Sequence, residues 1–182
     1  MRKKWTKTLR DSSASSFIIT DTNIISTFAR LQQIPLLLQS VEADYLCLTP
    51  ATQQELKIGM QRGCTFLQPI FDGLNTKTTF HLIALTSEEK ATLDRLPTSL
   101  NAGEKESIAV CFHRQGVKIL TNDKRARNFC KQKSIVHLDL PAILRRLWKA
   151  GICTKNEVQV LMEKMEAKEP GMVIKGKEEI LR

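Results

Sequence analysis

The sequence predicts an α/β chain, a three-layer α/β/α arrangement around a mainly parallel central sheet, with a helical hairpin at its C-terminal end. Three observations predict it. Short apolar runs such as Phe17-Ile18-Ile19 lack the polar alternation of a half-wet strand, so they read as strands covered on both faces. Stretches with helical apolar spacing follow these runs, and alternating strands and helices build parallel sheets. Beyond Pro141 the strand-like runs stop and only helical spacing continues.

Taken in order, residues 1–16 form a polar, basic lead-in that is expected to fray. Met1-Arg2-Lys3-Lys4-Trp5 is basic, but Asp11 to Ser16 lacks the apolar segment of a secretory signal. A strand at 17–20 passes through Asp21 into a helix that carries Ile24, Ile25, Phe28 and Leu31 at i, i+1, i+4 and i+7. Pro35 begins a second helical piece through Leu36 to Leu38, and residues 45–48 form the next buried strand. Thr49 and Pro50 suit an N-cap and a first helical position. Residues 59–78, punctuated by Gly63, Pro69, Gly73 and Asn75, are expected to form a mobile loop or a short helical excursion.

A further strand at 80–85 leads into a helix from Ser87 to about Leu96, ended by Pro97. The next helix starts near Asn101 and closes at Gly116. Residues 117–121 form a strand with Asn122 and Asp123 at its end, followed by a basic helix from Lys124 to Lys131 and a last short strand at 135–138. Helices at 141–150 and after the Thr154 to Glu157 capping box make the hairpin, residues 140–168. Its stripe of Val158, Leu161, Met162 and Met165 packs on its own domain or takes a partner helix or a second copy, as in a homodimer. Residues 169–182 read as a charged tail, flexible or ordered by a partner.

Composition narrows the function classes. At 182 residues, 42% hydrophobic and 26% charged, the chain supports one well-filled core with tails. A net charge of +9 favours a polyanionic partner, nucleic acid above all. Five cysteines without a Cys-x-x-Cys pair point to reduced thiols in a cytoplasm. Three scattered histidines offer no zinc spacing, and no glycine-rich phosphate loop appears. No run approaches a membrane span. Aromatics make up 5%, too few for a stacking platform, so specificity is expected from shape and backbone contacts.

Four acids stand out by position. Asp21 and Asp123 end strands, where open α/β sheets place functional groups. At ~100° per residue, Glu55 falls on the inward stripe of its helix, and Glu104 shares a face with Ile108 and Cys111 while Glu106 points away. A shared cation accounts for four such acids better than coincidence does. Lys124, Arg125, Arg127 and Lys131 form either a solvated face or a phosphate-binding flank. Asn23 is a candidate for holding a water or an acid in place, with Asn122 beside Asp123 as a second supporting amide.

These blocks resemble a known family. Phe-Ile-Ile-Thr-Asp21-Thr-Asn23, Thr-Pro-Ala-Thr-Gln-Gln-Glu55-Leu, Gly-Glu104-Lys-Glu106-Ser-Ile-Ala and Ile-Leu-Thr-Asn122-Asp123-Lys-Arg-Ala-Arg are similar, in order and spacing, to the four acidic blocks of PIN-domain proteins. The resemblance covers residues 17–139. It implies a nuclease domain and a magnesium- or manganese-dependent endoribonuclease, with RNA as substrate and products bearing 5′-phosphate and 3′-hydroxyl ends. Carried onto this chain, Asp21, Glu55, Glu104 and Asp123 become the catalytic acids, with Asp21, Glu104 and Asp123 as ligands of Mg²⁺ or Mn²⁺. Many prokaryotic members are toxins that pair with a cognate antitoxin protein. Two features depart from the compact toxins: a Gly-Glu-x-Glu third block, which leaves Glu104 and Glu106 as alternatives, and the longer chain. An inactive binding or assembly module of the same fold is the alternative. A phosphatase with Asp21 as nucleophile ranks last, because Asp21-Thr22-Asn23 lacks a second acid two residues on.

Overall fold

Five short strands carry the fold: β1 (Ile18–Thr20), β2 (Leu46–Leu48), β3 (Phe80–Leu82), β4 (Lys118–Leu120) and β5 (His137–Leu138). The computed structural model describes residues 17–182; the lead-in expected at 1–16 lies outside the described residues. The strands lie in the order β3-β2-β1-β4-β5, and every neighbouring pair is parallel. Helices follow in chain order: α1 (Thr22–Arg30), α2 (Ile34–Ser40), α3 (Pro50–Gln61), α4 (Gln68–Thr76), α5 (Ser87–Leu93), α6 (Ala102–His113), α7 (Lys124–Gln132), α8 (Leu140–Lys149), α9 (Lys155–Lys168) and α10 (Lys177–Ile180).

The unalternating apolar runs have the expected cause. Successive side chains of a strand point to opposite faces. Ile18, Leu46, Leu48 and Leu120 join the core formed with α1, α2, α8 and α9, whereas Ile19, Cys47 and Ile119 lie under the opposite cover, where Val110 and Ile108 of α6 and Ala126 of α7 pack. Register agrees with this, since Ile19 pairs with both Cys47 and Ile119. Both faces are therefore dry, and each buried Ile or Leu contributes about 1.5–3 kcal/mol of transfer free energy. The three-layer α/β/α fold with a parallel sheet is what the sequence predicted.

Residues 59–78 take the helical of the two expected forms: α3 runs on to Gln61, a 3₁₀ turn spans Thr65–Leu67, and α4 begins with Pro69 in its first turn. Leu67 and Ile70 bury there, so packing resolves a stretch whose glycines read as breaks. The charged tail differs from expectation: it is neither flexible nor left for a partner to order, because the chain's own residues hold it. Ile174 and Ile180 are buried, Trp148 Nε1 donates to the Ile180 carbonyl at 2.7 Å, and Lys177 pairs with Glu166 at 2.5 Å. Alternating charge hid those two isoleucines. The hairpin stripe of Val158, Leu161, Met162 and Met165 is buried in the chain's own core.

Candidate active site

Strand order reverses at β1, because β2 lies on one side of it and β4 on the other. Such a switch point opens a crevice at the carboxyl ends of the strands. Asp21 follows β1 and Asp123 follows β4, so the two acids leave neighbouring strands at that crevice; the Asp21 N–H still donates to the Leu120 carbonyl at 3.0 Å. Each is also an N-cap. Asp21 Oδ1 accepts from Ile24 N at 2.7 Å, and Asp123 Oδ1 accepts from Arg125 N at 2.7 Å and Ala126 N at 2.9 Å. Capping fixes both carboxyls to rigid helix starts.

Two helices supply the other acids. Glu55 stands half-buried in the second turn of α3, and its Oε2 accepts a hydrogen bond from Thr22 Oγ1 of α1. Glu104 is buried in the first turn of α6, where Asn101 and Glu104 form a reciprocal capping box: Asn101 N donates to Oε2 at 3.0 Å and Glu104 N donates to Asn101 Oδ1 at 2.8 Å. Asp21, Glu55, Glu104 and Asp123 line one cavity of about 340 Å³, with Thr22, Asn23 and Ser26 among their neighbours. Glu106 does not line it. Its Oε2 instead accepts from Ala51 N at 2.8 Å, at the N-terminus of α3. The helical-face reading thus separates the two glutamates, while the tie from Glu106 to α3 was not legible.

Electrostatics follow from crowding. Burial pushes the Asp21 carboxyl above its ordinary pKa, against hydrogen bonds from Ile24, Thr121 and Asn122, and the neighbouring Asp123 charge adds to the rise. Burial raises Glu104 as well, and the charges of Asp123, Asp21 and Glu55 push the same way. The donor set is all oxygen, which suits a hard divalent cation rather than zinc. Among the described residues no group of three or more Asp, Glu, His or Cys is gathered tightly enough to hold a metal by itself. The four acids ring a cavity rather than clasp a point. The hydrogen bonds of Asp123 run through Oδ1 and those of Glu55 through Oε2, which leaves the second oxygen of each for a ligand.

The remaining predicted residues divide. Asn23 is exposed at the cavity edge, and Asn122 donates its N–H to Asp21 Oδ2 at 3.1 Å. Lys124 and Lys131 are exposed, and Arg125 reaches the Ser99 carbonyl at 3.2 Å. Arg127 is half-buried and pairs with Asp139 at 2.6 Å, so its charge is offset within the fold. Thr121 escaped sequence reading. Its hydroxyl accepts from the Asp123 backbone N–H at 3.2 Å, and it favours the charged form of the Asp21 carboxyl against burial. Thr22, Thr52 and Asn101 were also missed as site neighbours; only Asn101 left a sequence signal, three residues before Glu104 as a capping box requires.

No helix among the described residues is long and apolar enough to cross a membrane. No curated protein matches the chain. A family model described as PIN domain matches residues 17–180, which takes in both the strand-end acids and the C-terminal helices. PIN domains are generally nucleases and typically use divalent metals. With a parallel five-stranded sheet, its acids at the switch point and that match over nearly its whole length, the chain belongs to the PIN-domain family.

Proposed function

We propose that the protein is a metal-dependent endoribonuclease that hydrolyses RNA phosphodiester bonds at the four-carboxylate cavity. The observation that carries this reading is that Asp21, Glu55, Glu104 and Asp123 come from four separate elements yet line one cavity. Asp21, Glu104 and Asp123 are the residues that would hold Mg²⁺ or Mn²⁺. A bound ion of this kind supplies a water of lowered pKa and offsets charge on the phosphoryl oxygens. Glu55, oriented by Thr22, is placed to take a proton from an attacking water. Thr121 and the caps on α1 and α7 keep Asp21 and Asp123 in place as substrate arrives. Exposed Lys124, Arg125 and Lys131 meet the phosphate backbone, whereas Arg127 chiefly braces α7 against α8.

Cleavage of mixed single-stranded and structured RNAs with Mn²⁺ tests this. Asp21→Asn and Asp123→Asn keep side chains able to cap but remove charge, and each should lose at least about 100-fold in rate. Products should carry 5′-phosphate and 3′-hydroxyl ends. Wild type and both variants equally inactive would favour the binding-module reading. A toxin role in the cytoplasm is a separate matter, and it requires a small cognate protein that copurifies with the chain and blocks the cavity.

A further inference from the structure

Helix α1 shows solvent a single stripe. Thr22, Asn23, Ser26 and Arg30 keep some exposure, whereas Ile24, Ile25, Thr27, Phe28 and Ala29 between them are buried. Residues three and four apart share a helix face, so Asn23, Ser26 and Arg30 stand in line. Asn23 and Ser26 line the acidic cavity. Arg30 lies one turn further on, about 6 Å along the axis from Ser26.

Arg30 is half-buried, yet the fold gives its charge no counter-ion. The centre of its guanidinium lies 4.0 Å from the ring centroid of Phe66 in the 3₁₀ turn, so the ring takes one face of the planar group. Its Nε is buried with no hydrogen-bond partner, the one side-chain atom of that kind among the described residues. Arg30 also enters none of the ion pairs among them. Buried polar groups are normally bonded, and a half-buried charge without a partner costs stability until an anion arrives. The carbonyls at the end of α1 attract a cation there, but that attraction does not use the guanidinium's fork. A fork held in plane by an aromatic ring suits the paired oxygens of a phosphate. We infer that Arg30 binds a backbone phosphate of the RNA strand, one turn of α1 beyond the cavity that takes the scissile phosphate. The inference rests on the ribonuclease reading and adds a contact outside the metal site: Arg30 holds the strand by its charge and reads no base.

The test compares wild type, Arg30→Met, Arg30→Lys and Lys133→Gln with fluorescein-labelled oligouridylate and oligoadenylate. Binding is read by anisotropy with Ca²⁺ over a range of KCl, and cleavage with Mn²⁺. Methionine keeps an apolar stem over Phe66, so Arg30→Met should melt no lower than wild type. It should bind both strands at least about fivefold more weakly, and its slope of log affinity on log salt should be shallower by about 0.7, the share of one phosphate on a single strand. Its KM should rise while kcat stays within about threefold. Arg30→Lys keeps the charge and should keep the slope. Lys133 is exposed and shares a cavity with Lys118 at the amino end of β4, the far end of the sheet from the acids. As the charge-matched control, Lys133→Gln should bind within about twofold of wild type. A wild type that binds and cuts, with Arg30→Met equal to it in affinity and slope, overturns this inference alone. So does an equal loss of slope in Lys133→Gln, which would trace the effect to net charge, or a loss on one of the two strands only, which would make Arg30 a reader of bases. An Arg30→Met that melts well below wild type overturns it as well, because the guanidinium would then have a partner within the fold. A wild type that neither binds nor cuts RNA overturns the ribonuclease reading and this one together.

Discussion

Asp21 carries a conflict that a cation would relieve. Its folded-state pKa lies above the ordinary value of 3.8 because burial disfavours the charge. The unfolded chain ionises more readily, so this group costs stability above its folded pKa, and the cost disappears as pH falls toward 3.8. In metal-free protein, wild type should therefore gain on Asp21→Asn as pH is lowered from 7 toward 4, measured by chemical unfolding. Mn²⁺ at pH 7 should raise the melting temperature of wild type and leave Asp21→Asn nearly unmoved. A gap that stays constant with pH would contradict the burial account. Asp21 was legible because an apolar run stops on it. Thr121, which accepts from the Asp123 N–H and favours the Asp21 charge, was not, because a hydroxyl at the end of an apolar strand gives no sign of the partner it will meet.

Between elements, the contact of α3 with α6 sets the spacing of Glu55 and Glu104. Gly103 makes the close approach: a Cβ there would lie 3.0 Å from Thr52 Oγ1. Glu106 ties the same helices through Ala51 N, where the α3 dipole favours its charge. Glu106→Ala should cost about 1–2 kcal/mol of stability in denaturant unfolding. At the C-terminal end of α6, Glu89 is wholly buried against Arg114 at 2.6 Å and also serves the capping box of α5. The Arg114 guanidinium holds the Glu89 carboxyl below its ordinary range, so its contribution is present above pH 4.5 and is lost as pH falls through the lowered folded value. Glu89→Ala should cost about 2–3 kcal/mol, less than for a wholly dry pair because Arg114 keeps 29% of its side-chain surface. An unchanged unfolding midpoint would refute that. Helix faces were legible from a 3.6-residue period, which told Glu104 from Glu106. Contacts between helices were not, since period says which way a side chain points and nothing about what it meets.

As a whole molecule, the chain closes on itself through its C-terminal residues. Ile180 buries beside Trp148, and the core that holds β1 also holds α8 and α9. Ile180→Ala should lower stability by about 2 kcal/mol; a free tail would show no change. Parallel topology was legible from alternation of strand runs and helices. The course of 169–182 was not, because two isolated isoleucines among charges carry no period.

In the proposed ribonuclease, charge facing the cavity, rather than the fold around it, carries RNA cleavage. Glu104→Gln and Glu106→Gln test it most directly, because glutamine serves a capping box as glutamate does and can still accept from Ala51 N. Measured as the cleavage rate of single-stranded RNA with Mn²⁺, Glu104→Gln should fall at least about 100-fold and Glu106→Gln should stay within about threefold. Equal rates for the two, or the larger loss in Glu106→Gln, would contradict the account.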